Sequence, residues 1–181
     1  KEQEACAIAL GQLKDEASHE RLLTLTNSPM ASVNLAARQA LYRLGRYEQR
    51  ECIASAAAEG NLFAISMLGE MAGSEPLLTR LTHSADIQIS ANASIALLDR
   101  QDSQALPGIA ELLIQDPRDL GLMKWSSATQ GLSTWKVVCN AQEVFRGDPL
   151  GNALSIHYLE ELLTKVAALP DTDFLMMATR I

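Results

Sequence analysis

The chain carries the phrase Ala40-Leu41-Tyr42-Arg43-Leu44 in four related copies, which begin at residues 9, 40, 67 and 96. The intervals between these starts are 31, 27 and 29 residues. A period between about 20 and 50 residues is typical of stacked supersecondary units, each of which buries its apolar face against its neighbours. We call each copy a closing phrase and number its positions one to five. The repeat predicts an α-solenoid.

Each closing phrase ends an amphipathic helix, which we call the second helix of its unit. In the second unit, small and aliphatic residues recur every three or four positions over residues 33–44, which is the spacing of one helix face. A shorter stretch containing Leu22, Leu23 and Leu25 precedes this helix. The turn Asn27-Ser28-Pro29 separates the two, because proline cannot continue a helix. The pattern predicts pairs of helices joined by short turns.

These pairs resemble the HEAT-repeat family, in which a leucine-rich first helix, an Asp/Asn-Pro turn, a Val-Arg pair, an alanine cluster and a closing Ala-Leu-Gly-x-Leu-Gly follow one another. The best copy, residues 22–45, departs from that pattern at Asn34, where the family usually has arginine, and at Tyr42, where it usually has glycine. The fourth copy has Ser90 at the arginine position. The resemblance covers residues 1–115 and implies an all-α fold, a right-handed α-α superhelix of HEAT-like helical hairpins.

The two ends of the chain depart from the repeat. The first unit has only its second helix, over residues 4–13. Because a stacked unit needs neighbours to bury it, we expect a segment to precede this helix, and the alternative is that the helix acts as an unpaired cap. Residues 116–181 read as a divergent, irregular helical C-terminal extension, or as a repeat whose phrase has drifted. Within them, apolar spacing predicts helices over residues 151–169 and 173–180.

Composition narrows the class of partner and the compartment. The formal net charge is −7, and neither half of the chain has the basic stripe that a phosphate backbone requires, so we predict no nucleic-acid partner. No apolar run approaches the roughly 18 residues of a membrane span, so we expect no membrane insertion. The spacing of Cys6, Cys52 and Cys139 is not typical of zinc ligands or redox pairs, which favours buried or half-buried free thiols and a cytoplasmic location.

No set of residues requires a chemical reaction. One HEAT-like group, the deoxyhypusine hydroxylases, binds iron through repeated His-Glu pairs, whereas this chain has the single pair His19-Glu20. One pair cannot assemble such a site, so we predict no metal and no cofactor. His157 lies on an apolar-rich predicted helix, which favours a packing or surface role over general-base catalysis. The acidic balance argues against the HEAT-like DNA alkyl-base glycosylases, and no residue pattern specifically supports the bilin lyases.

The second helices are the better indication of function. The family resemblance implies that these helices line a concave surface where ligands usually sit. By register, the polar positions on them are Asn34, Arg38, Asn92 and Ser94. Asparagine can bond peptide groups through both donor and acceptor atoms, and arginine can bind a carboxylate with two parallel bonds. These residues would form a groove for an extended peptide or a helix. The alternative is an ordinary solvated face, with Asn34 capping a helix or bridging repeats.

Both tryptophans lie close together in a chain that is poor in aromatic residues. Trp125 and Trp135 flank a stretch rich in serine and threonine. They would form either an aromatic anchor for a partner or, as we favour, a plug that closes the end of the stack. The sequence as a whole predicts a non-catalytic scaffold or adaptor that binds a protein or peptide. The alternative is a HEAT-like enzyme or enzyme subunit, of the lyase or metal-dependent hydroxylase type, whose site lies outside this chain or between the tryptophans.

Overall fold

The structure, a computed structural model, describes residues 2–114, 122–126, 131–135 and 162–169, with side chains over residues 2–111 and 162–169. Its helices are α1 (Glu2–Gln12), α2 (His19–Leu25), α3 (Ala31–Arg43), α4 (Gln49–Ala58), α5 (Leu62–Leu68), α6 (Glu75–Leu81), α7 (Ile87–Asp99) and α8 (Leu106–Ile114). Short 3-10 turns precede α2 and α8, at Glu16–Ser18 and Ser103–Ala105. Residues 162–167 are also helical. The helical fold predicted from the sequence is confirmed over residues 2–114.

The helices pack in pairs, as the repeat predicts. Helix α2 packs on α3, α4 on α5, and α6 on α7. Side-chain caps mark where several of these elements begin, because the first N–H groups of a helix have no partner within it. Asn61 accepts the N–H of Ala64 at the start of α5, and Asp86 accepts the N–H of Gln88 at the start of α7. We refer to α2–α3, α4–α5 and α6–α7 as units 2, 3 and 4, and to α1 as unit 1.

The closing phrases are the places where second helices of neighbouring units touch. A Cβ atom added at Gly11, position three in α1, would lie 2.6 Å from the Cα of Ala40, position one in α3. A Cβ atom at Gly69, just after α5, would lie 3.3 Å from the Cα of Ala96, position one in α7. Glycine at position three therefore lets one second helix approach alanine at position one of the next.

Position three of unit 2 is Tyr42, so the contact between α3 and α5 differs from the other two. The Tyr42 hydroxyl accepts the backbone N–H of Ala72 at 3.1 Å, beyond the end of α5. The buried core is divided into two clusters, which meet at α3. One cluster joins α1, α2 and α3, and the other joins α3 to α4–α8 and to residues 162–169. Helix α3 supplies Ala36, Ala37 and Leu41 to the first cluster and Leu35 to the second.

In the C-terminal extension the described residues form one helical segment and two strands. Leu162, Val166 and Leu169 join the second core cluster, and the ammonium of Lys165 pairs with the carboxylate of Asp99 at position four of the last closing phrase. In contrast, β1 (Leu122–Ser126) and β2 (Gly131–Trp135) form an antiparallel pair. The prediction that this segment is helical is wrong for these residues. This segment lacks a 3.6-residue apolar period and contains aromatic and β-branched residues, which favour strands. Of the helix predicted over residues 151–169, residues 162–167 are helical and residues 151–161 lie outside the described residues. The helix predicted over residues 173–180 also lies outside them.

Candidate functional site

Asn34 and Arg38, two of the residues predicted to line a groove, form a chain of hydrogen bonds within the fold. Asn34 donates from Nδ2 to the backbone carbonyl of Thr26 at the end of α2. Its Oδ1 accepts Nε–H of Arg38 at 2.8 Å, and Arg38 donates from Nη1 to Oε1 of Gln49 at 2.9 Å. Both side chains are half-buried. The chain ties α2, α3 and α4 together, which is the bridging role that the sequence analysis left open. Contact with a partner stays a prediction for these two residues.

Asn92 and Ser94, the other two predicted groove residues, are buried. Asn92 is 3% exposed and Ser94 is 0% exposed. Asn92 donates from Nδ2 to the carbonyl of Gln88 at 2.7 Å, and Ser94 donates from Oγ to the carbonyl of Ser90 at 2.8 Å. Such bonds to the preceding helical turn keep a polar side chain on its own helix. Neither side chain presents an exposed polar surface in this structure, and partner contact through them stays a prediction.

An open groove of about 410 Å³ lies between the α6–α7 turn, the first half of α7 and the first half of α8. Its lining combines hydroxyl groups, one imidazole, one carboxylate and short apolar side chains. These are Thr82, His83, Ser84, Ala85, Ile87, Ser90, Ala91, Ser94, Pro107, Gly108 and Glu111. Gly108 brings α8 close to α7, because an added Cβ atom would lie 2.9 Å from the Cβ of Ser94. Of the four predicted groove residues, Ser94 lines this groove, whereas Asn34, Arg38 and Asn92 do not. The Pro107-Gly108 pair at the start of α8 is the sequence signal that could have indicated its position.

The tryptophans lie on the two strands. In the antiparallel register Trp125 is opposite Leu132, and Trp135 is opposite Leu122. Whether the indole rings anchor a partner or close the end of the stack stays a prediction, because it concerns side chains outside those that the structure describes. Cys139 and His157 also lie outside the described residues.

The single His-Glu pair of the sequence takes part in a hydrogen-bonded chain. Nε2 of His19 lies 3.0 Å from Nε of Arg46, and Nδ1 lies 3.4 Å from Oε1 of Glu20. Because the guanidinium Nε can only donate, Nε2 is the acceptor and the ring proton is on Nδ1, facing the carboxylate. In the parts of the chain with described side chains, no three His, Cys, Asp or Glu residues form a group that could hold a metal ion.

Cys6 and Cys52 are free thiols, but both are exposed, so the burial predicted for the cysteines is wrong for these two. None of the helices that the structure describes is both long enough and apolar enough to cross a membrane.

Arg100, at position five of the last closing phrase, reaches back to the preceding unit. Its Nη1 donates to the carbonyls of Gly69 at 3.2 Å and Met71 at 3.1 Å. Its Nη2 pairs with the carboxylate of Glu75, the first residue of α6. The carboxylate also accepts the backbone N–H of Glu75. That bond first, and then the nearby Arg100 charge, hold the pKa of Glu75 below its ordinary value of 4.5.

We expect the stability supplied by Glu75 to be lost in acid. A carboxyl group whose pKa is lowered by folding contributes its full stabilisation above the unfolded-state value, here 4.5, and loses it as the pH falls through the lowered folded-state pKa. The measurement is urea unfolding of the chain and of Glu75→Gln at neutral pH and at successively lower pH. The difference in unfolding free energy between the two proteins should shrink towards acid. A difference that does not change with pH would contradict this assignment.

No protein-family model matches this chain, and no curated protein or solved structure is detectably similar to it.

Proposed function

We propose that the chain is a non-catalytic scaffold or adaptor, a right-handed superhelix of HEAT-like hairpins that binds a protein or peptide along the face of its second helices. The observation that carries this proposal is the contact between closing phrases. Gly11 on Ala40 and Gly69 on Ala96 bring second helices of neighbouring units side by side. Helices arranged in this way offer an extended surface, which suits an extended ligand better than a compact one.

The groove beside α7 supports a peptide as the ligand. The hydroxyls of Thr82 and Ser90 donate to carbonyls of their own helices and can accept a peptide N–H. The hydroxyl of Ser84 accepts the backbone N–H of Asp86 and can donate to a peptide carbonyl. Ile87 and Pro107 add apolar contact. The groove lies at one end of the row of second helices, so a peptide lying along the row would enter it. We therefore propose the groove as one contact point of the bound segment.

Filling the groove tests this proposal. Ala85 is exposed and lines the groove, so an arginine there would occupy the space without disturbing the core. Ala17, exposed on the 3-10 turn before α2, provides the matched control. The tagged full chain and the variants Ala85→Arg and Ala17→Arg are used as baits in affinity purification from the native source, read by mass spectrometry. We expect a partner that is retained by Ala17→Arg and reduced about tenfold or more by Ala85→Arg, a loss of about 1.4 kcal/mol.

Two results would contradict the proposal. Equal recovery of the partner by Ala85→Arg and by the control would place the binding site away from the groove. Recovery of no partner by any of the three baits would remove the support for a binding function. Thermal unfolding of all three proteins is the control for the fold, and we expect the same midpoint for each.

A further inference from the structure

The turn between α3 and α4 presents an exposed aromatic ring next to arginines. Tyr47 is 67% exposed, Arg46 precedes it, and Arg50 follows in the first turn of α4. The Tyr47 ring meets the ring of Tyr42 edge-on, with centroids 5.2 Å apart. Because the hydroxyl of Tyr42 is itself bonded to the N–H of Ala72, Tyr47 rests on a fixed base. We call Arg46, Tyr47 and Arg50 the arginine–tyrosine edge.

The charges of this edge are not neutralised as those of neighbouring arginines are. Arg43 bonds the carboxylate of Glu70 through two nitrogens, and Arg100 pairs with Glu75. Arg46, in contrast, donates Nε to the imidazole of His19. Arg50 donates to the carbonyls of Ala72 at 3.1 Å and Gly73 at 2.8 Å. Among the side chains that the structure describes, neither Arg46 nor Arg50 forms an ion pair.

Two units each have an arginine after the second helix that bonds the first residue of the first helix, although the two arginines are not at the same repeat position. In unit 4, Arg100 follows the second helix and pairs with Glu75, the first residue of the first helix of the same unit. In unit 2, Arg46 follows the second helix and bonds His19, the first residue of the first helix of that unit. Arg46 therefore bonds an imidazole, whereas Arg100 bonds a carboxylate. The positive charge of Arg46 remains available at an exposed position.

We propose that the arginine–tyrosine edge is a docking surface for an acidic protein segment. Carboxylates of the partner would bond the guanidinium groups of Arg46 and Arg50, and the partner backbone would lie on the ring of Tyr47. Arginine binds carboxylates with directional paired bonds, and tyrosine and arginine are enriched among the residues that carry binding energy at interfaces. The edge is formed by other elements than the groove, so this site goes beyond the proposed peptide site.

Charge complementarity selects this occupant over a uniformly anionic polymer. The edge offers two guanidinium groups beside one aromatic ring, and the exposed Glu48 lies on the same turn. A continuous phosphate backbone would meet Glu48 as well as the arginines, whereas a protein segment can space its carboxylates around it. The wider surface adds no attraction for such a polymer, since the chain carries a formal net charge of −7.

A binding titration with the purified full chain tests the site. The probe is a short fluorescein-labelled peptide of alternating glutamate and alanine, followed by fluorescence anisotropy at low ionic strength. We expect Arg46→Gln and Tyr47→Ala each to weaken binding roughly tenfold, and added salt to weaken it further. Arg80→Gln, which removes an exposed arginine from α6, should leave binding unchanged. Ala85→Arg should also leave it intact, which separates this site from the groove.

Three outcomes would overturn the inference. The first is that the peptide does not bind. The second is that Arg80→Gln weakens binding as much as Arg46→Gln, which would mean that only the overall charge matters. The third is that a labelled DNA duplex binds as tightly as the peptide and shows the same dependence on Arg46. Because Arg46 and Tyr47 are exposed, thermal unfolding of the variants should match that of the parent chain, so a loss of binding is not explained by unfolding.

Discussion

Gly11→Ala is expected to lower the free energy of unfolding by about 2 kcal/mol. The added methyl group would lie 2.6 Å from the Cα and 2.7 Å from the Cβ of Ala40. Because one of these atoms belongs to the backbone of α3, the clash cannot be relieved by rotating a side chain, and α1 must move away from α3. The better helix propensity of alanine offsets less than about 1 kcal/mol of this cost. Urea unfolding followed by circular dichroism measures the change.

Gly69→Ala provides the matched comparison. Its added methyl group would lie 3.2 Å from the carbonyl oxygen and 3.3 Å from the Cα of Ala96, which a shift of a few tenths of an ångström accommodates. We therefore expect a loss below about 1 kcal/mol there. Adding Ala40→Gly to Gly11→Ala should restore only part of the stability, because the new methyl group would still clash with the backbone of α3. Equal losses at the two glycines would show that helix contact at position three does not limit stability.

Arg100→Met is expected to cost about 2 kcal/mol of unfolding free energy. Methionine keeps much of the apolar length of arginine but removes the bonds to the carbonyls of Gly69 and Met71 and to the carboxylate of Glu75. The two carbonyls lie at the end of unit 3, so loss of the bonds to them should loosen the attachment of unit 4 to unit 3. A hydrogen bond to a charged group contributes more than one between neutral groups, which is why this effect exceeds that of an ordinary substitution.

Arg43→Met is the control for Arg100. Like Arg100, Arg43 bonds a carboxylate, in this case through two nitrogens. The side chain of its partner Glu70 is 53% exposed. Water can replace these bonds, so we expect a loss below about 1 kcal/mol. If Arg43→Met cost as much as Arg100→Met, the bonds to backbone carbonyls would not be the source of the larger effect. Thermal and urea unfolding of both variants decide between these results.

The closing phrases predict helix pairs and the helical fold, because they record the spacing of an apolar helix face. They do not tell which polar positions on that face are covered. Asn92 and Ser94 share the polar register of a second helix, yet both are buried, and how closely α8 approaches α7 depends on the absence of a side chain at Gly108. Such distances follow from packing between units, which a repeat period does not contain.

The arginine–tyrosine edge was missed for a related reason. Tyr42 stands out in the sequence because it occupies a position where the resembling family has glycine. Its contact with Tyr47 depends on the direction in which the chain leaves α3, and this turn passes through Gly45 with a φ of +86°. A left-handed residue of this kind reverses the chain direction after a helix. The strands β1 and β2 were not predicted because their segment has neither a clear helical period nor a clear strand alternation. The segment was therefore assigned by analogy with the helices before it.

The division of the core at α3 has a mechanical consequence. Apolar contact between the two core clusters runs through α3. The other described links between units 2 and 3 are polar: Arg38 bonds Gln49, and Tyr42, Arg43 and Arg50 bond the region around Ala72. Bending elsewhere along these helices would separate larger apolar surfaces and expose them to water, which is costly. Bending at this joint separates Leu35 and Tyr42 of α3 from the second cluster and otherwise exchanges protein hydrogen bonds for bonds to water, at a smaller net cost. We therefore expect the joint between units 2 and 3 to be the most compliant part of the described helices, where a load applied at one end would be taken up as curvature.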